Sequence, residues 1–241
     1  MRGLGLAPAL LLAGVAAAAA EPRPVADMAA APWHSLARVV SAGEVRCTGF
    51  VVAPDLVVTA GHCVFGARQG RFLPASAVHV QVAYRMGAMA EHRTVVAYRT
   101  IEGFDPRNGP AAAGADVAVL HLGKRLSAAP VPVGSAATGA VALGGYARQR
   151  PEVLQADGDC RIRGTTRDRA GRTLLVHDCA GGPGTSGAPL LQRGSDQVWR
   201  VLGVQVAGHP GRGESYAVPA ATWVALLKDV SPGEPASRPQ R

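Results

Sequence analysis

The chain has no long charged or low-complexity tract across its 241 residues, which excludes global disorder. It has no Cys-x-x-Cys or His-x-x-x-His spacing, so its four cysteines do not follow the usual zinc pattern, and a metal site is only the secondary reading of them. It has no Gly-x-Ser-x-Gly elbow, which counts against an esterase of the α/β-hydrolase type. Its formal net charge of +8 comes almost wholly from arginine, yet no aromatic-interleaved basic stripe occurs. Arg38, Arg46, Arg68, Arg85, Arg93, Arg148, Arg161 and Arg200 are scattered, which fits a solvated surface better than a nucleic-acid or anionic-polymer footprint. No internal repeat stands out.

With 48% hydrophobic residues, the chain can bury a sizeable core as one large or two small domains. Residues 1–20 read as a signal peptide. Arg2 is a weak basic start, Ala7 to Ala20 is apolar but broken by Pro8, and Ala18-Ala-Ala20 suits cleavage after Ala20. The stretch is too short for a comfortable membrane span, so a retained anchor is the lesser alternative and no stable membrane insertion is expected after cleavage. Export makes the four cysteines disulfide candidates, with three possible pairings. Residues 21–34, rich in Ala and Pro, read as a propeptide or disordered lead-in, and 231–241, with three prolines, as a disordered tail.

Between these ends, short β-branched runs alternate with turn signals, the pattern of an all-β chain. The first set is 37–40, 45–53, 56–59, 77–84, 94–101 and 116–122, with Pro54-Asp55 as a tight turn and Val78-His-Val-Gln-Val82 alternating like a half-buried strand. Residues 124–134, with two prolines, read as a crossover. The second set is 140–146, 153–162, 173–177, 188–192, 198–207 and 215–218. Pro219 then sits at a helix start, and 220–230 has helical composition.

Three segments carry chemistry. Thr59-Ala-Gly-His-Cys63 places His62 at the end of an apolar strand. Gly114-Ala-Asp-Val-Ala-Val-Leu120 sets Asp116 beside a buried run, where a carboxylate is costly unless hydrogen-bonded. Gly184-Thr-Ser-Gly-Ala-Pro189 surrounds Ser186 with glycines that permit unusual backbone angles and leave amides open. A serine needs an imidazole to take its proton, and the imidazole needs a carboxylate to hold its tautomer. The bland readings are a surface histidine, a strand-initiating aspartate and an ordinary Gly/Ser turn. Asp105, in a turn-prone Phe-Asp-Pro, is the rival carboxylate.

The order His, Asp, Ser, separated by 54 and 70 residues, resembles the trypsin-like (chymotrypsin-fold) serine endopeptidases, and most closely the bacterial branch that includes the glutamyl endopeptidases. The resemblance covers nearly all of the chain after Trp33. It implies two six-stranded antiparallel β-barrels with a C-terminal helix, the first over 35–126 and the second, with the helix, over 127–230. It further implies His62 as base, Asp116 as its orienter, Ser186 as nucleophile and the amides of Gly184 and Ser186 as oxyanion hole. No metal or cofactor is required, and the expected partner is a protein or peptide substrate met by a secreted or periplasmic monomer. Cys47 with Cys63 would staple the loop presenting His62, and Cys160 with Cys179 would brace the segment ahead of the nucleophile.

Thr185 stands where the animal digestive enzymes carry aspartate, so activation through an ion pair with a new N-terminal amine is not supported. By the same resemblance Ala180 lies at the floor of the primary specificity pocket, the strand from Gly203 to Gly208 forms one side, and Ala217 lines the far wall. Alanine at the floor does not support Lys or Arg selection. Gln205 and Gly181 stand where glutamyl endopeptidases place a histidine and a hydroxyl residue, so the pocket reads as suited to small or medium apolar side chains. His209 could still favour an acidic one. The competing class is a non-catalytic binding module that keeps the fold.

Overall fold

Valine-rich runs closed by tight turns form fourteen strands in a computed structural model that describes residues 23–41, 45–135, 138–209 and 212–228. The signal peptide expected over 1–20, the start of the lead-in and the tail at 231–241 lie outside the described residues. The first barrel closes in the order β1 (Leu36–Ser41), β2 (Val45–Ala53), β3 (Leu56–Thr59), β8 (Ala118–Leu122), β7 (Glu91–Thr100), β6 (Val78–Val82). The pair β4 (Phe65–Gly66) and β5 (Arg71–Phe72) forms a small separate hairpin. The second barrel closes in the order β10 (Gln155–Arg167), β11 (Thr173–His177), β14 (Glu214–Pro219), β13 (Trp199–His209), β12 (Pro189–Arg193), β9 (Gly139–Gly145). All pairings within the two barrels are antiparallel, and closure removes the exposed edges that an open sheet would carry. The fold is all-β with a short closing helix, as expected.

Burial follows the alternation read from the residues. In β6, Val78, Val80 and Val82 point inward while His79 and Gln81 are half-exposed. In β3 and β8 every residue is buried, so both faces of these two adjacent strands are covered. The cores meet through large side chains: Trp223, fully buried on α1 (Ala220–Trp223), packs edge-on against Phe50 of β2 at 6.1 Å between ring centroids. Truncating such a residue typically costs about 3–5 kcal/mol, so the C-terminal element closes the first barrel as well as the second. The helix expected over 220–230 is shorter than its composition suggests. After one turn of α1 the chain tightens into a 3-10 turn at Val224–Leu227, as short helices without a costly nucleus to spare commonly do.

A polar clasp crosses the seam between barrels. Arg38 of β1 lies over the Tyr84 ring at 3.3 Å, donates from Nε to Gln81 at 2.8 Å, and reaches Glu152 of the second half at 3.4 Å. Tyr146 donates to the Tyr84 carbonyl at 3.0 Å, and burial pushes its phenol well above its ordinary pKa. The described part of the expected lead-in is also docked: Val25 forms an antiparallel bridge with Gln155 and Ala26 is buried. The start of β10 offers free hydrogen-bonding groups there, and the incoming backbone satisfies them. Composition alone carries no signal for such pairing.

Candidate active site

His62 leaves β3 through Ala60 and is presented by a 3-10 turn, Gly61–Val64. The turn is held from two sides. Cys63 is disulfide-bonded to Cys47 of β2, with Cα atoms 6.2 Å apart, and its carbonyl accepts from the Ser41 hydroxyl at 2.7 Å. Asp116 arrives from the opposite direction, at the end of an irregular 3-10 run, Pro106–Ala115, and just before β8. Both of its oxygens are engaged by one residue: Oδ1 accepts the His62 backbone N–H at 2.8 Å and Oδ2 meets His62 Nδ1 at 2.6 Å. An acceptor there keeps the proton on Nδ1 and leaves Nε2 free to act as a base. The His62 side chain is 35% exposed and that of Asp116 only 11%, so the imidazole sits at the surface with its anchor behind it. Burial opposes the charged imidazolium most strongly, but the charge of Asp116 and its hydrogen bond outweigh that, and the His62 pKa stands above its ordinary value.

Ser186 is half-buried in a loop ahead of β12 that is fastened to the first barrel by Thr48. Thr48 is fully buried. Its N–H donates to the Ser186 carbonyl at 2.9 Å, its hydroxyl donates to the Gly184 carbonyl at 2.9 Å and accepts from Tyr146 N–H at 2.9 Å, and its carbonyl accepts the Thr59 hydroxyl at 2.7 Å. Cys63 Sγ lies 4.0 Å from the same Ser186 carbonyl, so the serine loop and the His62 turn share a boundary. Gly184 and Gly187 have φ of +94° and +83°, and a side chain at either would strike backbone: Tyr146 O at the first, Thr48 O at the second. Thr185 locks the preceding turn, donating to Gly182 O at 2.7 Å and accepting Gly182 N–H at 2.9 Å. Among the described residues, the N–H groups of Thr185, Gly187 and Ala188 donate to carbonyls, while those of Gly184 and Ser186 meet no backbone acceptor.

The residues expected around the specificity pocket fall into two groups. Ala180 and Gly181 are exposed, and Gly208 and His209 are exposed at the end of β13. Gln205 and Ala217 are buried. Gln205 accepts from His177 Nε2 at 2.7 Å and donates to Ala207 O at 2.8 Å, so both ends of its amide are engaged. His177 is fully buried, and burial, only partly offset by the Gln205 bond, pushes its pKa down to about 4. It is neutral at physiological pH. Cys160 and Cys179 are disulfide-bonded within the core of the second barrel, and the carbonyl of Cys179 accepts the Ser215 hydroxyl at 3.2 Å. Ligand atoms of Cys47, His62 and Cys63 all lie within 4.8 Å of one another, but both sulfurs are consumed by their disulfide. The rival carboxylate, Asp105, instead caps its own turn, binding Arg107 N–H at 3.0 Å and its guanidinium at 2.9 Å.

Several residues here escaped sequence reading. Thr48 and His177 work through hydrogen bonds to distant partners, and their only local signal is a polar residue inside an apolar run. Asp168, in the turn between β10 and β11, is another: its buried carboxylate accepts Gly114 N–H at 3.0 Å, two residues ahead of Asp116. The turn itself is closed by a second bond, Arg172 N–H to Asp168 Oδ1 at 2.8 Å.

No curated protein matches the chain at a significant level. Among solved structures, a Glu endopeptidase in complex with MPD superimposes with a TM-score of 0.67 at 21% identity, over 86% of this chain and 95% of that one. Residues 47–204 match the family described as the trypsin-like peptidase domain, a span that begins at Cys47 and takes in His62, Asp116 and Ser186. The chain therefore belongs to the trypsin-like peptidase family, and it is a serine endopeptidase.

Proposed function

We propose that the protein is a secreted or periplasmic endopeptidase that cleaves protein or peptide substrates through an acyl-enzyme on Ser186. The observation that carries this reading is the double engagement of one carboxylate by His62, through its backbone N–H at 2.8 Å and Nδ1 at 2.6 Å. That arrangement leaves Nε2 to take the Ser186 proton as the hydroxyl attacks the peptide carbonyl. The resulting imidazolium is stabilised by Asp116, and the same proton then passes to the departing amine. The open amides of Gly184 and Ser186 would receive the developing oxyanion, an interaction whose loss typically costs roughly 3–4 kcal/mol of transition-state stabilisation. Water, activated in turn by His62, releases the acyl group.

Substrate preference follows from what surrounds the pocket. Ala180 brings no charge to its floor, and Gln205, which lies beside Gly181, is bonded to a neutral His177. This favours small or medium apolar side chains on the acyl side of the scissile bond. Export is supported by the signal-like residues 1–20 and by the pairing of all four cysteines, which suits an oxidising compartment. Among the described residues no helix is long and apolar enough to cross a membrane.

Fluorophosphonate labelling of the purified protein tests the assignment, since only an activated serine reacts. Wild-type protein is expected to label, and Ser186→Ala to lose both labelling and peptide hydrolysis, with roughly a 10⁶-fold fall in kcat. Hydrolysis persisting in that variant would move the nucleophile elsewhere. A folded wild type that never labels would point to a binding protein.

A further inference from the structure

The segment expected as a propeptide or disordered lead-in runs along the start of β10, joined to it by an isolated antiparallel bridge between Val25 and Gln155. Ala156 N–H donates to Pro24 O at 3.0 Å, Ala26 N–H donates to Leu154 O at 2.9 Å, and the Gln155 side chain donates to Arg23 O at 3.1 Å. The next residue, Asp157, joins this segment to Ala180: its Oδ2 accepts the Ala180 N–H at 2.7 Å, while Oδ1 accepts Asp159 N–H at 3.2 Å. Three residues further on, Cys160 is bonded to Cys179. The same stretch of β10 thus grips residues 179 and 180 at two adjacent points. Beyond them the chain continues as Gly181-Gly182, and Ala180 and Gly181 are exposed. Backbone of that composition loses much conformational freedom when ordered and has little side-chain packing to hold it. The Asp157 carboxylate is also in the field of the Arg23 guanidinium, whose pKa burial lowers and Asp157 partly restores.

We propose that residues 23–26 are a permanent part of the mature enzyme, and that Asp157, beside the residues they pair with, is a positioning residue holding the Ala180 wall of the specificity pocket. The proposal rests on the peptidase reading of Ser186 and on Ala180 lining the pocket. Substrate binding senses the N-terminal segment through a relay of contacts: residues 23–26 onto Leu154–Ala156, Asp157 onto Ala180, Ala180 onto the substrate side chain. Asp157 does not touch the reacting atoms. Losing it therefore weakens recognition while leaving the chemistry of His62, Asp116 and Ser186 in place. Processing that cut beyond Ala26 would remove the segment and loosen the wall.

Mass spectrometry of the mature N-terminus is the first arm. The chain is expected to begin at or before Arg23, and a fully active form beginning after Ala26 would overturn the proposal. The second arm is Asp157→Ala in the full chain. Its KM for peptide substrates is expected to rise about tenfold, the scale of a lost charge-assisted hydrogen bond, with kcat and the labelling rate of Ser186 within about twofold of wild type. Asp157→Asn keeps an acceptor oxygen for Ala180 N–H and is expected to recover most of that loss. An unchanged KM and cleavage profile in Asp157→Ala would overturn the relay. If that variant does not fold, Ala26→Pro, which deletes the single N–H that binds Leu154 O, must give the same rise in KM alone, and its failure to do so counts equally against the proposal. Wild-type labelling is read separately: its absence would defeat the peptidase reading, whereas a labelled enzyme with an unmoved KM defeats only the relay.

Discussion

His62 and His177, one in each barrel, are both hydrogen-bonded through the ring, the first part-exposed and the second fully buried, yet their pKa values move in opposite directions. His62 has a carboxylate partner and is raised, whereas His177 has an amide partner and falls to about 4. Burial is the largest influence on each and lowers both, so the charge of the partner decides the outcome. The first barrel therefore holds an imidazole whose charged form is favoured, and the second holds a neutral histidine tied to Gln205. The wider contrast between barrels is similar. The first contributes side-chain charge, with His62 and Asp116, while the second contributes backbone: two positive-φ glycines and the amides beside Ser186.

Replacing the carboxylate by an amide should break the contrast. Asp116→Asn gives His62 the kind of partner His177 has, and is expected to cost roughly 10⁴-fold in kcat because the wrong tautomer is then favoured. The wild-type kcat/KM should rise with pH along a limb lying above the ordinary imidazole pKa, since His62 must be neutral to act. In Asp116→Asn that limb should move down. A pH–rate profile for both proteins checks the sign.

The link between the barrels is tested next. Thr48→Val removes the hydroxyl that binds Gly184 O and Tyr146 N–H, leaving a buried acceptor and a buried donor unsatisfied at about 1–3 kcal/mol each. Denaturant unfolding should show a loss of about 2–5 kcal/mol, and labelling of Ser186 should slow. An unchanged midpoint with unchanged labelling would mean that the loop holds its shape without Thr48.

The converse exchange is subtler. Gln205→Glu gives His177 a carboxylate partner and should raise its pKa from about 4 toward or above the ordinary value, followed by NMR titration of the ring protons. In the wild type, the depressed His177 contributes stability that is complete above the unfolded imidazole value of about 6.5 and lost as pH falls toward about 4. His62 acts oppositely: its contribution is complete below that unfolded value and lost as pH rises through its own raised pKa. Gln205→Glu should flatten the acid-side loss in a pH series of unfolding midpoints.

How much of this was readable in advance depends on the range of the forces involved. The bounds of β2, β3 and β11 coincide with those read from Val45–Ala53, Leu56–Thr59 and Thr173–His177, because apolar alternation and the Pro54-Asp55 turn are local signals. β10, expected to end at Ile162, continues to Arg167, because its polar outer half is held by pairing with β11 and not by its own composition. The run Pro106–Ala115 was not anticipated, since Gly, Pro and Ala without periodicity carry no helical signal. His62, Asp116 and Ser186 were legible as candidates from their immediate neighbours.

Local sequence was therefore sufficient for most of the barrel strands, their turns and the three chemistry-bearing segments, because each is encoded within a few residues of itself. The partners were decided by the tertiary structure. Thr48 meets Gly184 across 136 positions, Asp157 meets Ala180 across 23, and Asp168 meets Gly114 across 54. Hydrogen bonds between residues so far apart leave no periodic trace in the chain, and the direction of the two histidine pKa shifts depends on which distant oxygen closure of the barrels brings to each ring.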